Sequence, residues 1–184
     1  LEALASAGLL HRAGPLPNRV FGLQRPDGGF AEPLSTGGNV TDDDMARVWG
    51  HGRLLAGLLA AYQADGDPRA LQAATRLGDF LVDVAPRFLE RRVMDEFYAN
   101  RLAHGYICWT QNLEGLAGLY SATGEAAYLE LAKAIAQRIE RRPGQHSHGW
   151  LTSLRGLLAL ADAAGDEAYL RQAEAAWQGL TDSE

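Results

Sequence analysis

Leucine and glycine recur along this chain in a fixed register. Three windows align on Gly66 in AYQADGDPRAL, Gly124 in LYSATGEAAYL and Gly165 in LADAAGDEAYL. Nine residues before each stands another glycine (Gly57, Gly115, Gly156), and eleven and eight before each stand leucines. Five residues after each comes leucine again (Leu71, Leu129, Leu170). Within each window the leucines fall at helical spacing, as in Leu55, Leu58 and Leu59, so each predicts an apolar stripe on a helix. The aligned glycine suits the left-handed C′ position that ends a helix. Asp67 followed by Pro68 then opens the next helix as N-cap and first-turn proline, a favoured start. Asp166 repeats the cap and Glu125 is its weaker form. The predicted unit is helix, tight turn, helix, written three times.

The spacing of the units separates two architectures. The aligned glycines are 58 and then 41 residues apart, whereas a simple solenoid keeps one period. The longer interval holds its own charged, partly helical stretch from Pro86 to Tyr106. Unequal insertions suit an (α/α) toroid, whose loops build a central cleft. Residues 14–40, with four prolines and six glycines from Gly14 to Asn39, read as a long irregular loop. About seven or eight helices are expected over a single domain of residues 1–184. That is too few to close a ring of six hairpins, so the chain is expected to be part of a larger (α/α)6 toroid.

Composition supports the all-α reading. The chain has 31 alanines and 28 leucines against nine valines and isoleucines together, the reverse of what strands favour. A net charge of −6 argues against a nucleic-acid partner. No apolar run reaches the length of a membrane span, and the first residues lack a basic targeting region. One cysteine, Cys108, forbids an internal disulfide and fits a reducing, cytoplasmic setting.

Polar and aromatic residues gather where the first helix of each hairpin begins. His51, Trp109 and Trp150 stand fifteen residues before the aligned glycines. Nearby are Asp42, Asp43 and Asp44, then His104 and Gln111, then His146 and His148. In a toroid these helix starts converge on one end, where aromatic faces, imidazoles and amides suit a saccharide. Asp44, His104, Gln111 and His148 are candidate polar contacts, with Trp109 and Trp150 as platforms. The alternative for Thr41-Asp42-Asp43-Asp44 is a plain helix cap. The two histidines equally suit an exposed loop, and Cys108 a small buried hydrophobe. Glu114 and Arg155 share one repeat position, as a buried pair or as ligands facing a cavity. No metal set of recognisable spacing is present, and no pair of carboxylates identifies a glycosidase centre.

Three stretches carry a resemblance. TDDDMARVW (Thr41 to Trp49), HGYICWTQNLEGLAGLYSATG (His104 to Gly124) and HSHGWLTSLRGLLAL (His146 to Leu160) resemble segments of the N-terminal helical domain of β-L-arabinofuranosidase-like glycoside hydrolases, family 127 and relatives. The first is similar to D-S-D-V-x-K-W-L, with Asp42, Asp44 and Arg47 on its two acids and lysine. In the second, His104, Cys108 and Glu114 match H-E-L-Y-C-A-G-H-L-I-E-A, while Gln111 replaces a histidine that helps bind the sugar. The third is similar to H-A-H-x-Y-L-x-x-L-R-G. The resemblance implies a six-hairpin toroid, one wall of a saccharide pocket, and hydrolysis of a glycosidic bond such as an L-arabinofuranoside. It also implies a zinc-bound cysteine nucleophile with a glutamate acid/base on later hairpins, a segment to which Cys108 does not belong.

Two other readings stay open. A non-enzymatic helical-repeat scaffold would hold a protein partner on a concave surface, with its tryptophans buried and its histidines scattered. The acidic triplet with PDGGF also echoes terpene-cyclase-type toroids. An open half-ring would expose apolar edges, so further helical hairpins in cis, or an oligomer, are expected as partners.

Overall fold

A computed structural model of the chain describes residues 2–8, 16–98, 105–142 and 145–181. Three αα-hairpins form where the glycine register places them: α3 (Asp42–Asp65) with α4 (Pro68–Phe88), α7 (Asn112–Thr123) with α8 (Ala126–Ala136), and α9 (Ser147–Ala164) with α10 (Glu167–Thr181). Gly66, Gly124 and Gly165 end the first helix of each hairpin with φ of 69°, 73° and 62°. A side chain in that left-handed region would be strained, which explains why glycine recurs there. Asp67 accepts a hydrogen bond from the Arg69 amide and Pro68 opens α4, as the sequence implies.

The first helices of the hairpins, α3, α7 and α9, pack side by side as one layer, and α4, α8 and α10 back them as a second. The interior glycines permit this close approach. A methyl on Gly115 would lie 2.8 Å from Leu55 Cγ, and one on Gly156 would lie 2.9 Å from Leu113 Cβ. The leucine eleven residues before one turn therefore seats on the glycine nine before the next. A continuous apolar core runs from Phe30 to Ala173. The arrangement is all-α and consistent with part of an (α/α) toroid. Among the described residues there is no strand, and no helix is long and apolar enough to cross a membrane.

Short elements add to the expected helix count. The described residues form ten helical segments, including α1 (Glu2–Ser6), α2 (Leu16–Gly22), α5 (Arg91–Tyr98) and α6 (Ile107–Thr110). One or two turns carry too little periodicity to stand out in a sequence. Helix α2 lies inside the stretch expected to be irregular throughout, with Pro17 tolerated in its first turn. Helix α4 likewise runs two residues past Pro86, where little ladder remains to be interrupted.

Residues 23–40 of the excursion are pinned to the first hairpin. Arg25 Nη1 donates to the Phe30 and Ala31 carbonyls at 2.9 and 2.8 Å. The Phe30 amide donates to His51 Nε2 at 2.9 Å. Gly28, at φ 89°, sits directly against the Arg76 carbonyl, where a side chain has no room. PDGGF is therefore a tightly held strap across α3 and α4.

Candidate functional site

The N-terminal ends of the first-layer helices do meet, and they form a cleft of about 270 Å³ lined by Ala46, Trp49, Ile107, Cys108, Gln111, His146, His148 and Gly149. Trp49 comes from α3, Gln111 from the junction of α6 and α7, and His148 from the first turn of α9. Trp49 is 43% exposed. Its Nε1–H donates to Gln111 Oε1 at 3.0 Å. An indole nitrogen only donates, so the amide must turn its oxygen toward Trp49. The amide NH₂ then faces the Ile107 carbonyl, 3.4 Å away, and Gly149. A methyl on Gly149 would stand 3.2 Å from Gln111 Nε2, so the glycine leaves the amide its place. The His146 and His148 rings meet edge to face at 6.1 Å between centroids.

The six residues singled out from the sequence are distributed unevenly. Gln111 and His148 share the cleft. His104 lies outside the described residues. Trp109 is fully buried and stacks on Phe88 with ring centroids 4.7 Å apart, so it has no free face and belongs to the core. Trp150 is also buried, with the Arg141 guanidinium 5.9 Å above its ring. Asp44 points into the protein. Its carboxylate accepts from the Ser35 amide at 2.8 Å, the Ser35 hydroxyl at 2.5 Å and the Thr41 amide at 3.1 Å. The Asp44 amide donates in turn to Thr41 Oγ1, completing a capping box. Arg47 and Arg87 each stand 3.6 Å from the Asp44 carboxylate. Burial disfavours the charge, but the hydrogen bonds from Ser35 and Thr41 outweigh it and hold the carboxyl below its usual range. The acidic triplet is thus a helix cap that ties down the preceding loop.

The physical reason for these departures is a register of two residues. Positions fifteen before the turn glycines carry His51, Trp109 and Trp150, and all three are buried. Positions seventeen before carry Trp49, Ile107 and His148, and all three line the cleft. Two residues turn a helix by about 200°, which carries Trp49 and His148 from the core face to the open one, while Ile107 lines the cleft and is itself buried. Trp49 was the residue missed, and its shared repeat position with His148 was the signal that would have found it.

Neighbouring groups set the electrostatics. Burial pushes the Cys108 thiol up to about 11, so it forms a protonated, apolar part of the cleft wall. Glu114 of α7 is gripped by Arg53 of α3 at 3.4 Å and by Arg155 of α9 at 2.5 Å. This bridge joins the three first-layer helices and makes Glu114 and Arg155 a pair. Among the described residues no group of three or more histidines, cysteines or carboxylates converges to hold a metal. These residues therefore do not fit the zinc centre that the resemblance implies.

No curated protein and no solved structure matches the chain. The family model described as β-L-arabinofuranosidase, GH127 catalytic domain, matches residues 10–184. That span takes in all three hairpins and every residue lining the cleft, and the chain belongs to this glycoside hydrolase family.

Proposed function

We propose that the cleft is one wall of a saccharide pocket in a polypeptide that hydrolyses a glycosidic bond, an L-arabinofuranoside being the substrate class the family suggests. The observation that carries this is the convergence of Trp49, Gln111 and His148 from three successive hairpins on one cleft. Trp49 supplies a half-exposed aromatic face for sugar C–H groups. The Gln111 amide, its oxygen taken by Trp49 and one N–H directed at the Ile107 carbonyl, offers its other N–H to a ligand oxygen. His148 and His146 add ring nitrogens beside it. Among the described residues none that lines the cleft is a carboxylate, so they bind and orient while bond cleavage falls to groups elsewhere. The burial of Trp109 and Trp150 is what the scaffold reading expects, yet a scaffold gives no reason for the family match or the grouped polar residues.

The test is a titration of the natural polypeptide with methyl β-L-arabinofuranoside, read by tryptophan fluorescence, alongside release of arabinose from the same compound. Loss of one stacking face or one hydrogen-bonding ring weakens binding by roughly 1 kcal/mol, about fivefold. Trp49→Ala and His148→Ala are each expected to show that loss. Undiminished binding in both variants, or no binding by the parent, overturns the reading.

A further inference from the structure

Gln111 carries the one amide side chain among the described residues that line the cleft, and two neighbours fix which way it points. Its Oε1 accepts from the Trp49 Nε1–H at 3.0 Å, and its Nε2 lies 3.4 Å from the Ile107 carbonyl oxygen. Turned end over end, the amide would set its NH₂ against an indole N–H that only donates. Its oxygen would then meet a carbonyl that only accepts. Both hydrogen bonds would become repulsions in the same movement. Packing leaves the side chain little room to escape this choice, since Gln111 is 4% exposed. Residue 149 is glycine on the Nε2 side, where a methyl would stand 3.2 Å from that atom. The amide is therefore held in one orientation, and half of the hold comes from Trp49, a residue 62 positions earlier in the chain.

This orientation decides what the amide can recognise. A freely turning amide meets a sugar hydroxyl either as donor or as acceptor. With Oε1 engaged by the indole and one N–H directed at Ile107, the remaining N–H is what Gln111 presents to the cleft. A ligand group opposite it must accept. We propose that Trp49 is a positioning residue for specificity: through its Nε1–H it fixes Gln111 as a donor, so that the cleft selects a saccharide hydroxyl that accepts through its oxygen. A sugar that presents only a donor there, such as the ammonium of an amino sugar, is rejected. The proposal rests on the saccharide reading of the cleft and adds to it the direction of one hydrogen bond and the residue that sets it. Trp49 then has two separable duties. Its half-exposed face is the surface for sugar C–H groups, and its N–H edge orients the amide.

The experiment titrates the natural polypeptide calorimetrically with methyl β-L-arabinofuranoside and with its monodeoxy and monodeoxyfluoro analogues. Fluorine accepts a hydrogen bond and cannot donate one, whereas hydrogen does neither. At the ring position that meets Gln111, the fluoro analogue is expected to bind at least about threefold more tightly than the deoxy analogue. Trp49→Phe keeps an aromatic face and removes the N–H, so it should bring that ratio to about one at that position and leave the other positions unchanged. In a Gln111→Met background the same replacement should alter the ratio no further. A ratio near one at every position in the parent overturns the proposal. So does a ratio that Trp49→Phe leaves intact, or lowers equally at all positions. Binding of the unmodified glycoside tests the saccharide reading separately, since it can persist while the ratios fail. If the parent binds no sugar, that reading falls and the specificity claim falls with it. A measurement without ligand follows the Trp49 indole N–H by nitrogen-resolved NMR, the resonance being the one lost in Trp49→Phe. In Gln111→Met it should move upfield and exchange with solvent several-fold faster, and an unchanged resonance overturns the proposal.

Discussion

Replacing Gly156 by alanine tests the close packing on which the three-hairpin array depends. The added methyl carbon falls 2.9 Å from both Cβ and Cγ of Leu113 and 3.1 Å from the Glu114 amide nitrogen. Carbon–carbon contacts settle at about 3.5–4.0 Å, so α9 must part from α7 by roughly 0.6–1 Å. Leu113 Cβ and the Glu114 amide are fixed to the α7 backbone, so rotation of a side chain cannot relieve the clash. Overpacking of this kind costs about 1–3 kcal/mol, and alanine recovers about 1 kcal/mol in helix propensity. With backbone-bound atoms in the way, the upper part of that cost applies, and the net loss is about 1–2 kcal/mol. The internal control is Gly50→Ala in α3, where the new methyl meets nothing within 4 Å. That variant gains about 0.5–1 kcal/mol from propensity alone. For a chain of this size 1 kcal/mol moves Tm by about 2–4 °C, so the two variants move in opposite directions in thermal melts followed by circular dichroism. Equal stabilisation by both would show that the glycine contact between α7 and α9 is not close, and the argument from glycine spacing would fail.

Other consequences are equally direct. Asp44→Ala removes three hydrogen bonds to a buried carboxylate and is expected to cost about 2–4 kcal/mol. Faster proteolysis within residues 31–40 should accompany the loss, and a cost under about 1 kcal/mol would show that Asp44 does not anchor the loop. Burial lowers the His51 pKa from 6.5 and keeps the ring neutral to accept from Phe30. The unfolded chain then takes up a proton that the folded one refuses, so His51 stabilises above the unfolded value and that contribution falls as pH drops below about 6.5, by at most about 1.4 kcal/mol per pH unit. Urea midpoints at pH 7 and 5 should converge in His51→Gln, and an unchanged pH slope would remove His51 as the cause. Trp109→Ala should cost about 3–5 kcal/mol as a core truncation, while Trp49→Ala should cost under about 1 kcal/mol. Equal stability losses in denaturant melts would contradict the assignment of one tryptophan to the core and the other to the cleft.

Local rules made much of this molecule legible from its residues. The turn glycines, the Asp67–Pro68 helix start and the leucine stripes act through backbone conformation and helical period, which involve neighbours within a few positions. They are sufficient to specify three hairpins, their order and the close approach of their first helices. The cap reading of the acidic triplet was legible for the same reason, since Thr41 and Asp44 are three residues apart.

Which aromatic residue faces the cleft was decided by tertiary structure. Trp49 and Trp109 are both apolar residues near the start of a hairpin, and helical periodicity does not say which stripe the neighbouring layer covers. Trp109 is core because Phe88, at the far end of α4, stacks on it. Trp49 is open because α3 turns that side toward Gln111 and His148. The local sequence determined the hairpins and the set of polar and aromatic residues near their starts. Packing between helices far apart in the chain determined which of those residues were consumed by the core, because burial depends on the neighbours that arrive and hydrophobicity alone does not select them.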